Sequence, residues 1–357
     1  MKLRPQTVKQ WRRFRSIRRG YWSLLIIGAL LALTLVAELL VNSRAIVVRY
    51  DGNFYFPTYS AFMPGRQFGL DYDYETNYRE LAASFAEQRE AAEANGAEPP
   101  GNWLILPPVP YNPFETDFRD DGFPPYPPSI STQHYLGTDV AGRDILARLV
   151  YGFRLAMAFA VILLFCNYVV GIAVGCAMGF WGGAFDLVFQ RLIEIWSNVP
   201  FLYVIMIVAS VIVPNFWTLI GIMVVFGWMA MTWYMRTSTY KEKAREYVDA
   251  ARALGASSPR IVFRHILPNT ISIIVTFIPF SVATGVTALT ALDYLGFGLP
   301  PPTPSWGELL AQGTANLQSP WIVTSVVVAM TLVLLMVAYV GEAIREAFDP
   351  KQFTFYT

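Results

Sequence analysis

The sequence predicts an all-α integral membrane protein with six transmembrane helices and a large external insertion between helices one and two. Three observations carry that prediction. Of 357 residues, 54% are hydrophobic and only 15% charged, against ~25% charged in an ordinary soluble domain. The charges are clustered, leaving four charge-free runs of roughly 27 residues or more, each longer than a bilayer core requires. Basic residues are also shared unequally among the intervening segments, as they are between the two sides of a membrane.

The chain opens on a basic segment, 1–20, carrying Lys2, Arg4, Lys9, Arg12, Arg13, Arg15, Arg18 and Arg19 and no acid. Such an arm beside an apolar run marks the cytoplasmic end of a helix; the net charge of +1 says nothing of a nucleic-acid partner, and because the following helix accounts for the arm none is expected. Helix one is expected over Trp22–Val41, within the segment 21–41. It is too long for a signal-peptide core and lacks an A-x-A-like cleavage site. Residues 42–135 form the insertion, rich in Pro, Tyr and acids. A helix is expected over Arg79–Asn95 with Gly96 as its stop, and turn or extended chain around Asp51-Gly52 and Pro107-Pro108.

Helix two is expected between Arg154 and Asp186. Helices three and four share the run between Glu194 and Arg236, broken at Pro214-Asn215. Helix five is expected near Ile271–Leu292 and helix six near Ile322–Val340. The segment between helices four and five holds Arg236, Lys241, Lys243, Arg245, Arg252, Arg260 and Arg264, whereas Asp293–Pro320 holds no Lys or Arg. Both counts place the two termini in the cytoplasm, the tail 346–357 included.

Gly171, Gly175 and Gly179, with Gly183 next in the series, recur every four residues and predict close helix contact. Pro200 and Pro279 are positioned to kink helices three and five. The interiors of helices two to six carry no ionisable residue on this assignment, and Glu38 sits near the outer end of helix one. A stand-alone channel or an ion-coupled secondary carrier is the alternative reading, but a carrier is expected to hold a charge within the membrane. Catalysis is not expected of this chain. It has no Gly-rich phosphate loop of the G-x-x-x-x-G-K-[ST] kind, and His134 and His265 lack metal-ligand spacing and a positioned catalytic partner. Cys166 and Cys176 read as small packing residues inside an apolar run.

The most informative stretch is 240–269. Glu246–Leu254 is expected to be a short helix stopped by Gly255, Ser258-Pro259 to begin a second, and Pro268-Asn269 to turn the chain into helix five. Asp249-Ala250-Ala251, then Gly255, then His265-Ile266-Leu267-Pro268-Asn269 resembles the EAA loop of binding-protein-dependent ABC permeases. Asp249 stands for the first Glu and His265 for an Ile, as in the oligopeptide/dipeptide branch. Leu136-Gly137-Thr138-Asp139-Val140-Ala141-Gly142-Arg143-Asp144 resembles the LGTD-x-x-GRD signature of the second permease of that branch, and Leu295–Leu299 (LGFGL) is a third match. Arg49-Tyr50-Asp51-Gly52 with Tyr55-Phe56-Pro57 is similar to the YejE-type permeases, a branch associated with uptake of microcin C and other peptides.

The resemblance implies a MetI-like permease core over 136–345 in the inner membrane, and a peptide path shared with a second permease subunit as a heterodimer. It further implies ABC ATPase subunits on the cytoplasmic face, which hold the ATP and Mg, a periplasmic peptide-binding protein outside, and contact with membrane lipid. No cofactor or metal is expected in this chain itself. Glu246, Asp249, Ala250, Ala251, Gly255, His265, Leu267 and Pro268 are the residues it assigns to the ATPase-coupling loop. Ala250 and Ala251 would let the first short helix lie against the ATPase, and Gly255 would set the turn.

Overall fold

A computed structural model of the chain describes residues 5–98, 100–119 and 122–348. Lys2, Arg4 and the tail from 349 onward lie outside the described residues. The helices run in the order α1 (Pro5–Ser16), α2 (Arg18–Leu35), α3 (Ala37–Leu40), α4 (Tyr78–Ala94), α5 (Ile145–Trp181), α6 (Gly183–Ser197), α7 (Phe201–Val211), α8 (Phe216–Gly227) and α9 (Met229–Lys243). Then follow α10 (Glu246–Ala253), α11 (Ser258–Ile261), α12 (Leu267–Tyr294), α13 (Trp306–Ala315) and α14 (Pro320–Phe348). Three short strands, β1 (Val47–Tyr50), β2 (Asn53–Tyr55) and β3 (Trp103–Ile105), lie in the insertion.

Five helical stretches among the described residues are long and apolar enough to cross a membrane: Arg18–Leu35, Ile145–Trp181, Phe216–Lys243, Ser258–Tyr294 and Pro320–Phe348. A sixth is the pair Gly183–Ser197 and Phe201–Val211, bent by 67°. Helix three bends at Pro200, where the sequence puts a kink, but its first limb reaches back to Gly183, before the Glu194 boundary expected from the sequence. At ~1.5 Å per residue α7 alone spans only about half a bilayer core. The break falls at Pro200, which caps α7 and has no N–H to continue α6. The other break, at Pro214-Asn215, is where the sequence put it: the Asn215 side chain accepts from Trp217 and Thr218 backbone N–H groups, and Thr218 returns the bond.

Other boundaries shift as well. The first span begins at Arg18 rather than Trp22 and ends at Leu35, with α3 as a separate turn. Helix two starts at Ile145, before Arg154, and so contains Arg148 and Arg154. Arg154 is matched by Glu38 at 2.9 Å. Arg148 is fully buried, paired to Glu308 and 3.4 Å from Asp139. A charge so paired no longer marks the end of a buried helix.

Contacts divide the chain into two compact units. The first holds the described residues up to Gly28, Ala156–Pro300 and those from Thr331 on. In it the glycine series works as a seam. A Cβ on Gly171 would stand 2.7 Å from the Trp228 carbonyl oxygen, one on Gly175 2.5 Å from that of Thr232, and one on Gly179 2.6 Å from that of Arg236. Each four-residue step on α5 is met by a four-residue step on the facing helix, so the two backbones touch where the side chains are missing. Gly183 does not continue the seam. Its φ is +56° and its Cβ would meet open space, so it serves the turn after α5.

The second unit holds Ala29–Leu155 and Pro301–Met330. Its strands form an antiparallel sheet in the order β2-β1-β3. Asp51 and Gly52, at φ +47° and +80°, make the two-residue hairpin turn. α4 begins on Asn77, whose side chain accepts from Arg79 and Glu80 N–H groups, and Gly96 follows it in the left-handed region. Phe68, Tyr78, Leu81 and Phe85 pack against Ala45 and Val48 to form the core.

Candidate functional site

The loop 240–269 is built on α9, which ends at Lys243. The Lys243 ammonium donates to the Phe180 carbonyl at 2.5 Å and ties the loop to the end of α5. α10 runs from Glu246 with Glu246 and Asp249 in its first turn and Arg252 in its last, the polarity a helix dipole favours. Gly255 ends it at φ +79°, and the Ala256 N–H bonds the Ala251 carbonyl. Pro259 then lies in the first turn of α11. Burial, and then the carboxylate of Glu242 at 2.6 Å, raise the Tyr247 phenol above its ordinary value.

Beyond α11 the chain does not turn at Pro268-Asn269. Val262–Ile266 is a π-helical stretch that joins α11 to α12 without a break. Proline at 268 has no N–H to give the Arg264 carbonyl and its ring would crowd that oxygen in an α-turn; a wider turn relieves both problems. His265 is half-buried, and its carbonyl accepts from the Asn269 side chain at 2.8 Å. Leu267 and Pro268 are half-buried too.

The loop has an inner and an outer side. Val248, Ala251, Ile261 and Ile266 pack with Phe180. Ala251 therefore meets this chain's own core, contrary to the expectation that it lies against a partner; Ala250 is the exposed member of the pair. Outward stand Glu246, Asp249, which pairs with Arg252 at 3.1 Å, Leu254, 88% exposed, and Phe263, 70% exposed. Leu254 and Phe263 are thus large apolar groups left exposed beside the charged helix α10.

Sequence reading missed a second structure in this unit. Asp186, 4% exposed, takes two hydrogen bonds from the Arg236 guanidinium at 2.5 and 2.6 Å and others from Tyr240 and Gln190. The only signal was that both charges end long apolar runs. Nearby chain also forms a half-open cleft of about 320 Å³ whose walls include Asn167, Tyr168, Tyr234, Phe277, Ser281 and Thr284. The Tyr168 and Ser281 hydroxyls are 2.8 Å apart. Its lining is mostly apolar with a few polar groups.

The remaining two motifs have structural work to do. In 136–144, the Asp139 carboxylate accepts from the Ala141 and Arg143 N–H groups and the Arg143 guanidinium. Arg143 and Arg148 both reach Glu308. Asp144 accepts the Ala147 N–H near the start of α5 at 2.7 Å and faces His134 Nδ1 at the same distance. His134 is fully buried between Asp144 and Asp117 and stacked on Tyr111 at 3.8 Å. Burial opposes its protonation, but the hydrogen bonds to Asp117 and Asp144 outweigh that and raise its pKa. The same bond to His134, against burial and with help from Arg119, holds Asp117 down at about 2. In Leu295–Leu299, Gly296 takes φ +78° after α12 and the Leu299 N–H donates to the Asp293 carboxylate at 2.7 Å. Among the described residues no group of three His, Cys, Asp or Glu side chains is placed to hold a metal ion.

Comparison with known proteins identifies the family. Residues 171–354 match the family model described as "Binding-protein-dependent transport system inner membrane component". The inner membrane ABC transporter permease protein YejE of Escherichia coli K12 is 40% identical over 98% of this chain and 99% of that protein. The peptidoglycan transport system permease protein YejE of Agrobacterium fabrum C58 is 37% identical over 98% of this chain and 94% of that one. The oligopeptide transport system permease protein OppC of Lactococcus lactis subsp. cremoris SK11 is 35% identical over 63% of this chain and 78% of its own length. With a family model over half its length and a relative aligned from end to end, the chain belongs to the ABC transporter permeases of the binding-protein-dependent family, components of the inner membrane.

Proposed function

We propose that the chain is one of two permease subunits of an ATP-driven importer, forming half of a path for peptides or peptide-like compounds, microcin C and peptidoglycan fragments among them. The cargo class rests on its relatives, one named for oligopeptides and another for peptidoglycan. The observation that carries the importer reading is the loop itself: a short hairpin anchored from within by Val248, Ala251 and Ile261, presenting Ala250, Leu254 and Phe263 outward. In this reading the hairpin seats in an ATPase subunit, which binds ATP and Mg and hydrolyses the nucleotide, and transmits its movement through the unbroken Ser258–Tyr294 helix. Both termini are cytoplasmic, the insertion faces the periplasm, and a soluble peptide-binding protein delivers the cargo there. The apolar cleft at Tyr168 and Ser281 supplies a surface for uncharged peptide parts.

Gly255→Arg tests the reading. The left-handed φ at 255 disfavours any side chain, while open space around its Cβ leaves the internal core untouched. The variant should remain in the membrane, lose uptake and lose co-purifying ATPase. Full uptake by a stably inserted variant would refute the assignment of the loop.

A further inference from the structure

The sheet of the second unit has two unlike faces. Inward, Val48 belongs to the core, and Tyr50, Tyr55 and Leu104 pack against it. Strand alternation sends Val47, Arg49, Phe54, Trp103 and Ile105 to the other face. There the register sets Phe54 and Trp103 on either side of Arg49 in one row. The two rings meet edge to face at 6.1 Å, and the Arg49 guanidinium lies 5.8 Å from the Phe54 ring. Phe54 is 57% exposed and Ile105 48%. Arg49 makes no ion pair among the described residues.

At the hairpin end the border is polar, where the Asp51 N–H is held by Asn102 Oδ1 at 2.9 Å. A core of Phe, Trp and Arg within a polar rim is the composition of a protein–protein contact. An anionic lipid surface fits poorly, because residues 42–133 contain no Lys and far more acids than Arg. The Arg49 guanidinium is half-buried and without an ion pair among the described residues, and a carboxylate on the partner answers its charge.

We propose that this sheet face is a docking surface for the soluble ligand-delivering protein, which sets a carboxylate against Arg49 within an apolar ring formed by Phe54, Trp103 and Ile105. The proposal rests on the importer reading above, which places the insertion on the side where that protein arrives. It also gives the Arg49–Pro57 motif two jobs divided by strand parity, with Tyr50 and Tyr55 building the core and Arg49 and Phe54 serving recognition.

The test uses the whole importer reconstituted in lipid nanodiscs, with the purified periplasmic peptide-binding protein that stimulates ATP hydrolysis by the wild-type complex as probe. In Arg49→Glu and in Phe54→Ser/Trp103→Ser, the probe concentration giving half-maximal stimulation should rise at least tenfold. The maximal rate, the basal rate and the thermal transition of the complex should stay as in wild type. Arg49→Gln should flatten the salt dependence of that concentration. An unchanged half-maximal concentration overturns the proposal, and so does loss of the second permease from purified Arg49→Glu complexes, since the face would then be a contact between permeases. A wild-type complex whose ATP hydrolysis ignores every such protein overturns the importer reading itself, and the docking proposal with it.

Discussion

The seam of the first unit and the buried charges of the second solve the same packing problem by opposite means. Along α5, Gly171, Gly175 and Gly179 remove side chains so that backbone meets backbone. Within the second unit, Asp139, Arg143, Arg148 and Glu308 keep large charged side chains and satisfy them inside. Where the surroundings are apolar, association gains little from excluding water and relies on close contact. Where connecting chain leaves the membrane, ion pairs and caps can fix irregular backbone that has no helix to hold it. A seam tolerates no added volume, and a buried ion network tolerates no missing partner.

That contrast can be broken at either end, and the largest effect is expected at Glu308. Glu308→Ala leaves Arg143 short of a partner and the fully buried Arg148 with one carboxylate, Asp139 at 3.4 Å, besides the Pro113, Pro302 and Thr303 carbonyls. Removing one side of such a network costs about 3–5 kcal/mol, so thermal denaturation in detergent should fall to much lower temperature. An unchanged transition would mean that the network contributes little. At the seam, Gly175→Ala places a methyl group 2.5 Å from the Thr232 carbonyl oxygen and should cost about 1–3 kcal/mol.

Gly183 sharpens the comparison, because its φ of +56° rather than crowding is what matters there. Gly183→Ala should cost about 1–2 kcal/mol, and Gly183→Asn should recover part of the loss because Asn enters the left-handed region more readily. At position 175 the same change to Asn should be worse than Ala. Equal behaviour at the two sites would contradict the assignment of Gly183 to the turn.

The smallest effect concerns pH. His134, facing Asp117 and Asp144 with Tyr111 stacked on it and Arg119 beside Asp117, has a raised pKa. Its protonated form therefore stabilises the fold fully below its unfolded value of about 6.5, and that contribution fades as pH rises through the higher folded value. Wild type should melt progressively lower on going from neutral to alkaline buffer, and a His134→Gln variant should lose most of this slope. The Asp117 side of the bond, held at about 2, is lost only in strong acid. Identical slopes in the two proteins would remove His134 as the source.

The coupling loop shows which features were readable. Gly255 and Pro259 mark one turn by backbone rules that any neighbourhood obeys, and the structure puts them there. Pro268 obeys the same rules, yet the chain absorbs it in a π-helical stretch instead of turning, because α11 and α12 are held in line by packing on Phe180 and α9. Ala251 was assigned outward and is inward for a related reason: the apolar face of α10 found Phe180, a residue some seventy positions earlier.

By itself the sequence determined that this chain crosses a membrane, where most crossings lie, that glycines spaced by four along helix two allow close contact, and where α4 begins and ends. Those features follow from hydropathy, spacing and local backbone preference, all of which act over a few residues. Only the tertiary structure decided that helix two reaches back through Arg148, that the kink expected at Pro200 opens to 67°, and that Arg49 faces out while Tyr50 faces in. Each of these depends on a partner far along the chain that neutralises a charge, receives a broken helix or covers one face of a sheet.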